Sequence, residues 1–337
     1  MSEQVLMDIA VFFFGTIIGS FLNVCIVRLP RSESIVRPRS HCTVCKKTIP
    51  WYDNIPLFSY LLLGGRCRSC RSKFSFRYFF VEFLTGIVFL GFFRYYGLTA
   101  VTLAYWVMLS CFIIATFVDF EHRIIPDEVS VGGMCVGFLL SCLIPGLHQI
   151  SEKALAVGQL SMRIIVVACL LVHLLDFLAH KRKPDQEDKA LFFIIIMLLF
   201  LQWGCALLLS RISPSEKIFP FVRSADASLV GLLFGGGMIY AMGLIGDVIF
   251  RKESMGGGDV KLMALMGAFL GWKVAFLTFF IAPFFGAVYG VAEKIRTKDS
   301  AIAYGPFLVL GCLLSMFLGD QIITWVLGQY GIYNPSL

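Results

Sequence analysis

The stretch ESMGGGDVKLMALMGAFLGW, at residues 253–272, places three glycines and an acid directly in front of a long apolar run. The glycines are Gly256, Gly257 and Gly258, and the acid is Asp259. Charged groups near a bilayer core are costly to bury, so those that occur there are usually functional. Glycines let the backbone adopt positive φ and let another chain approach closely. The stretch therefore indicates a functional carboxylate at the edge of a membrane.

The composition of the whole chain is that of an integral membrane protein. Of its 337 residues, 58% are hydrophobic and 15% are charged, whereas soluble domains carry about 25% charge. The apolar stretches are continuous and lack the alternation of a membrane β-barrel. We therefore expect an all-α polytopic membrane protein with about 8–10 transmembrane helices, each of about 20 residues.

Nine continuous apolar stretches are long enough to cross a membrane. A shorter apolar helix, at about 260–271, follows the three glycines and is a candidate half-helix or re-entrant segment. The first stretch does not resemble a cleaved signal, because its basic residues Arg28 and Arg31 come after the apolar run. The expected spans are 5–27, 78–97, 101–118, 128–146, 156–178, 190–210, 226–250, 274–292 and 304–326.

The distribution of lysine and arginine predicts the orientation in the membrane. Of the 29 basic residues, 22 fall in segments that would share one side with the polar loop 28–77. Because cytoplasmic loops carry the excess of basic residues, this side is expected to be cytoplasmic. Asp119 and Asp259 would both lie there. Orientation also accounts for the net charge of +7, so we do not expect nucleic-acid binding.

Three regions divide the chain. Residues 1–27 form the expected first transmembrane helix, 28–77 a polar loop domain, and 78–337 the main membrane domain. Within the last region, a segment at about 145–225 contains two spans around the charged linker HKRKPDQEDK. The polar loop domain is too small to bury much apolar surface, so we expect a covalent or metal staple to hold it together.

Four cysteines in the polar loop have the spacing of a metal site. Cys42-x-x-Cys45 and Cys67-x-x-Cys70 are separated by 21 residues. Two such pairs supply the four thiolates of a tetrahedral Zn²⁺ site, and four protein ligands leave no open position, so the site would be structural. Unmetallated or redox-active thiols are the alternative, although a reducing cytoplasm argues against disulfides.

Asp119 closes an apolar span and Asp259 opens an apolar helix. Two carboxylates at the same depth on separate helices can share one proton, because like charges push one pKa down and the other up. The ionised member can then activate water, and the protonated member can polarise a peptide carbonyl, as in aspartic proteolysis. The alternative is structural: Asp259 caps its helix and Asp119 pairs with Arg123.

The ordered set of motifs resembles the type IV prepilin peptidases, a bacterial family of leader peptidases and N-methyltransferases. The resemblance extends from end to end of the chain and covers about half of it. It rests on GSFLNVCIVRLP (19–30), CTVCKKTIPWYDNIPLFSYLLLGGRCRSC (42–70), FRYFFVEFLTG (76–86), DFEHRIIPD (119–127), GGGDVKLMALMGAFLGW (256–272) and YGPFLVLG (304–311).

The resemblance implies a membrane aspartic endopeptidase with Asp119 and Asp259 as its catalytic acids. Its substrates would be prepilins and pseudopilins, whose basic leaders are removed at the cytoplasmic face of the bacterial inner membrane. The resemblance also implies N-methylation of the new N-terminus by S-adenosylmethionine, and products that serve type IV pili or type II secretion. The implied zinc ligands are the four cysteines of the polar loop, Cys42, Cys45, Cys67 and Cys70.

Several points stay open at the level of sequence. Phe79 stands where the family commonly has proline, and the segment 145–225 is longer than expected. No glycine-rich fingerprint locates a cofactor pocket, although Glu82, Gly64 and Arg66 lie near the cysteine loop.

The pattern also leaves room for different activities. A peptidase without methyl transfer would fit the same motifs. A proton-coupled transporter could use the two aspartates as relay acids, and a non-catalytic assembly factor could dock through the cysteine loop. Membrane lipids are expected partners, and the sequence does not predict an oligomeric state.

Overall fold

A computed structural model of the protein describes residues 3–148, 150–180, 186–250, 255–297 and 303–329. These ranges fold mainly into α-helices, with a long loop region between α1 and α3, and they contain no β-strand. The helices are α1 (Glu3–Arg28), α2 (Phe58–Leu62), α3 (Phe76–Tyr96), α4 (Ala100–His122), α5 (Asp127–Leu143), α6 (Glu152–His180), α7 (Gln186–Arg211), α8 (Phe219–Phe250), α9 (Gly257–Thr297) and α10 (Gly305–Gln329).

Eight helices of the described ranges are long and apolar enough to cross a membrane, namely α1, α3, α4 and α6 to α10. The protein is therefore a multi-pass, all-α membrane protein, as the sequence predicts. The helix at the expected span 128–146 is shorter than predicted. Helix α5 has only 17 residues and ends at Leu143, because Pro145 disfavours the helical conformation of the residue before it.

Helix α9 is broken at Gly271, whose φ of 78° and ψ of 176° are not helical. The break separates a short helix at 257–270 from a longer one at 272–297. This is the short helix that the sequence predicts in front of the span 274–292. Only glycine adopts this backbone conformation without strain, so Gly271 fixes where the short helix ends.

The chain divides into two compact units, Met1–Val129 and Ser130–Leu337. In the first unit, α1 packs against α3 through Gly15 and Gly19. A Cβ on Gly15 would lie 2.8 Å from the Cα of Gly86, and a Cβ on Gly19 would lie 2.8 Å from the Cα of Glu82. Small residues four apart let two membrane helices approach to backbone contact, where van der Waals packing drives their association.

The second unit uses the same device between α8 and α9. Gly231 and Gly235 lie on α8, and a Cβ on Gly231 would overlap the carbonyl oxygen of Gly267 on α9. A Cβ on Gly235 would lie 2.7 Å from the carbonyl oxygen of Met263. The helix that carries Asp259 is thus held against α8 by direct contact between backbones.

We expect Gly231→Val to destabilise the second unit severely. The added side chain meets backbone atoms of Gly267 and Gly271, which cannot rotate away, so the two helices must separate. Overpacking of this kind costs about 3 kcal/mol or more. The measurement is the thermal midpoint of the detergent-purified protein. Gly204→Val in α7 is the control, since a Cβ there meets nothing within 4 Å, and an equal effect of both variants would contradict the prediction.

A buried carboxylate holds α6 and α7 against α8. Asp226 on α8 is fully buried and accepts hydrogen bonds from Gln159 on α6, at 2.8 Å, and from Gln202 on α7, at 3.0 Å. Polar side chains hydrogen-bond across helices in membranes and so stabilise their association. The segment 145–225, whose role the sequence left open, is therefore anchored to the helix that supports α9.

Candidate active site and metal centre

The cysteine loop contains two hairpins with the same backbone hydrogen bonds, 25 residues apart. In the first, the amide of Cys42 donates to Lys47 and the amide of Lys46 donates back to Cys42, at 2.9 Å each. In the second, Cys67 and Arg71 repeat the pattern at 2.8 and 2.9 Å, with Ser72 as the acceptor for Cys67. Each hairpin turns through a residue of positive φ directly after its second cysteine, so both pairs of thiols point out of a tight turn.

The four sulfurs form a compact cluster. The Sγ atoms of Cys42, Cys45, Cys67 and Cys70 all lie within 4.8 Å of one another. Between the two hairpins, the Sγ atoms of Cys42 and Cys70 are 3.7 Å apart, and those of Cys45 and Cys67 are 4.0 Å apart. A tetrahedral metal with ligands at about 2.3 Å would separate its sulfurs by about 3.8 Å. The cluster therefore has the donor set and the spacing that hold one tetrahedral metal ion, and none of the chain's eleven cysteines, all in described positions, forms a disulfide.

The side chain of Ser72 lies within hydrogen-bond distance of two sulfurs of the cluster. Its hydroxyl lies 3.4 Å from the Sγ of Cys42 and 3.0 Å from that of Cys70. This hydrogen bond lowers the pKa of the Cys42 thiol to about 6 and also lowers the pKa of the Cys70 thiol. A metal binds the thiolate form, so Ser72 favours metal binding. The cysteine spacing contains no sign of this residue's role.

Contacts with α3 fix the loop that joins the two hairpins. Buried Glu82 accepts a 2.9 Å hydrogen bond from the backbone amide of Leu57. Phe79 packs against Tyr60 with ring centroids 5.6 Å apart. This aromatic pair joins α3 to the loop. Glu82, which the sequence analysis noted near the cysteine loop, therefore supports the structure of this loop.

A cavity of about 690 Å³ lies in the first unit, between α1, the two cysteine hairpins and the start of α3. Its walls include six lysines or arginines and four acids. Two side chains in these walls, Asn23 and Arg77, each have a buried polar atom without a hydrogen-bond partner among the described residues. Glu82 and Arg66, which the sequence analysis placed near the cysteine loop, both line this cavity.

Asp119 lies three residues before the C-terminus of α4 and is 6% exposed. Its carbonyl accepts the capping hydrogen bond from the amide of Arg123, at 2.8 Å, and Arg123 has a left-handed φ of 57°. Two residues later, Glu121 forms an ion pair with Arg77 on α3. The carboxylate of Asp119 is thus carried on the last turn of a well-anchored helix.

Asp259 lies in the first turn of α9. Its backbone amide donates to the carbonyl of Gly256 at 3.1 Å. Neither Gly256 nor Gly257 adopts positive φ. The expectation that these glycines provide positive φ is therefore wrong. Among the described residues, a Cβ on Gly257 would meet nothing within 4 Å, and one on Gly256 would meet only Oδ2 of Asp259, at 3.6 Å. The backbone beside Asp259 is therefore open to close approach by another chain.

Tyr304 is a neighbour of Asp259 that motif reasoning missed. Burial raises the pKa of its hydroxyl to about 12, and the negative charge of Asp259 contributes to the shift. The ring lies against α9, within 3.4 Å of the position of a Cβ on Gly286. Tyr304 thus places a protonated hydroxyl within electrostatic range of the carboxylate. Asp119 belongs to the first unit and Asp259 to the second, and their pairing stays a prediction.

Two family models match the chain in sequence order. The bacterial peptidase A24 N-terminal domain matches residues 13–96, and the type IV leader peptidase family matches residues 187–291. The first match contains all four clustered cysteines and the cavity's hairpins, and the second contains Asp259. Asp119 lies between the two. No solved structure matches the chain.

Curated relatives extend the similarity over nearly the whole chain. A prepilin leader peptidase/N-methyltransferase of Myxococcus xanthus is 30% identical over 86% of this chain and 64% of its own length. One from Legionella pneumophila is 28% identical over 96% of both chains. A type 4 prepilin-like proteins leader peptide-processing enzyme of Escherichia coli is 28% identical over 90% of this chain and 91% of its own. The chain belongs to the type IV leader peptidase family.

Proposed function

We propose that this protein is a membrane aspartic endopeptidase that removes the leader of prepilins and pseudopilins and then N-methylates the new N-terminus. The observation that carries the proposal is the pair of family matches, one over the cysteine cluster and one over Asp259. Relatives that carry both names align along nearly the full chain.

The proposed peptidase site consists of Asp119 and Asp259. One carboxylate is ionised and takes a proton from the attacking water, while the other is protonated and donates to the carbonyl oxygen of the scissile bond. Collapse of the tetrahedral intermediate breaks the C–N bond, and the leaving amine takes a proton from the pair. Open backbone at Gly257 supports this role, because a substrate strand must approach Asp259 closely.

The cysteine cluster is proposed to hold zinc in a structural role. Four thiolates complete a tetrahedral shell, so no ligand position remains for water or substrate. Cys42, Cys45, Cys67 and Cys70 would bind the ion, and the Ser72 hydroxyl would donate its one proton to the thiolate of Cys70 or of Cys42. The ion then replaces the hydrophobic core that this small loop domain cannot build.

Methyl transfer is proposed to follow cleavage. S-adenosylmethionine, when bound, supplies an electrophilic methyl group, and the neutral N-terminal amine of the mature pilin accepts it with loss of one proton. The protein's task is to bring that amine and the donor together and to exclude competing water. We place both steps at the cytoplasmic face of the bacterial inner membrane, since the basic residues concentrate on that side. There the basic leader can stay with the anionic inner leaflet.

One experiment tests the two activities together. The purified protein is incubated with a prepilin, with and without S-adenosylmethionine, and the product is weighed by mass spectrometry. We expect loss of the leader mass in both samples and a further gain of one methyl group only when the donor is present. Leader loss without methyl gain would leave a peptidase alone, and an intact prepilin would contradict the proposed function.

A further inference from the structure

We propose that the 690 Å³ cavity of the first unit binds the methyl donor, an adenosyl sulfonium amino acid. The assignment rests on the methyl transfer proposed above and names the site for it. The cavity is lined by residues of α1 and the turn after it, the cysteine hairpins, the segment 53–63 between them, the start of α3 and the end of α4. Its volume lies within the roughly 300–1,000 Å³ of small-molecule sites.

Unpartnered polar atoms in the cavity wall call for a polar ligand. Asn23 is 2% exposed, and its amide nitrogen donates to the carbonyl of Tyr78 at 2.9 Å, which fixes the orientation of the side chain. Its Oδ1 atom has no partner, and neither has Nε of Arg77. Buried polar groups are nearly always hydrogen-bonded. The cavity therefore offers one unused acceptor and one unused donor to a ligand that has both kinds of group.

The charges of the wall suit a ligand that carries both signs. Six basic and four acidic residues line the cavity, so ammonium and carboxylate groups both find partners there. Acids such as Glu33 can attract a sulfonium or ammonium, and Arg66 or Lys73 can bind a carboxylate. A strongly basic leader peptide is a poorer occupant, because the wall has more positive than negative groups.

Aromatic side chains provide a surface for a heterocyclic base. Phe74 and Tyr78 lie in the wall with ring centroids 6.4 Å apart. The guanidinium of Arg77 lies 5.3 Å from the centroid of the Tyr78 ring. Stacking on rings and on a guanidinium plane is a common way to hold a purine. The adenine and the amino-acid end of the donor thus both have fitting partners in one cavity.

The cavity also connects the metal cluster to methyl transfer. His41 and Thr43 of the first hairpin and Arg66 and Lys73 of the second all contribute to its wall. The same hairpins carry the four clustered cysteines, so a metal bound there would hold both hairpins in position. The metal therefore shapes a wall of the donor site without taking part in the chemistry.

The test is equilibrium dialysis of radiolabelled S-adenosylmethionine against the detergent-purified full-length protein. Asn23→Leu removes the unpartnered acceptor, and Val24→Phe adds bulk to the wall while leaving the polar groups in place. We expect each to weaken donor binding at least about tenfold. Ile17→Phe, on the exposed side of the same helix, is the matched control and should bind within about twofold of wild type.

Zinc content and a monodisperse elution profile establish that each variant is folded. Wild-type affinity in either cavity variant that passes this check would overturn the assignment, as would a wild-type protein that binds no donor. Prepilin cleavage by the wild-type preparation is measured alongside. Failure to cleave would count against the proposed function, whereas cleavage and methylation with unchanged donor binding in the variants would count against the cavity alone.

Discussion

Asp119→Asn and Asp259→Asn are each expected to lower prepilin cleavage by at least about a thousandfold, because either change removes one member of a proton-sharing pair. An amide has nearly the same shape as a carboxyl group but neither takes up the proton of the attacking water nor donates one to the leaving amine. Asn at either position therefore stops the cycle at a proton transfer, while the helix that carries it stays intact.

The measurement is the rate of leader removal by the purified variants at saturating prepilin, with zinc content as the check on folding. Asp320→Asn is the matched control, since Asp320 is an exposed carboxylate on α10, and it should cleave at the wild-type rate. A zinc-loaded Asn variant at 119 or 259 that still cleaves at a near-normal rate would refute the acid-pair mechanism. A shared proton also predicts a bell-shaped pH–rate profile for the wild-type enzyme.

Cys42→Ser combined with Cys45→Ser is expected to abolish zinc binding, reducing the metal content from about one ion per chain to none. Two thiolates cannot complete a tetrahedral shell, and a structural zinc contributes about 10–16 kcal/mol of binding energy to the fold of a small domain. The loop 28–77 should then become sensitive to limited proteolysis. Methyl transfer should fall at least as much as cleavage, since the hairpins form the walls of the cavity.

Metal analysis and a timed protease digest check this expectation. Cys135→Ser is the matched control, because Cys135 is an exposed cysteine on α5, outside the cluster, and it should keep both zinc and protease resistance. A wild-type protein without zinc would refute the metal site. A double variant with wild-type protease resistance would show that the loop folds without the ion.

The class of fold and the order of its parts followed from local sequence. Continuous apolar runs predicted the helices, since a membrane span requires only length and hydropathy. The paired cysteines predicted the metal cluster, because two short x-x spacings constrain four sulfurs to adjacent turns. The short helix behind Gly256 was also predicted, and Gly271 ends it. The expected span 128–146 runs past the end of α5, because the apolar character continues through Pro145, whereas the helix ends at Leu143.

The remaining features depend on which helix faces meet. Gly231 and Gly267 are far apart in sequence, and their contact follows from the packing of α8 on α9. The same holds for Asp226 with its two glutamines and for Glu82 with the amide of Leu57. Single residues of these types occur throughout any membrane protein, so a one-dimensional pattern cannot select the ones that touch.

The sequence by itself determined that this protein crosses the membrane many times, carries a four-cysteine cluster and belongs with leader peptidases, because each of these is encoded in short, ordered segments. Only the tertiary structure decided that Ser72 supports the thiolates, that Tyr304 neighbours Asp259, and that Asn23 and Arg77 face a common cavity. The physical reason is that hydrogen bonds, electrostatic interactions and cavity walls require groups within a few ångströms of one another in space. Separation along the chain does not predict which groups come that close.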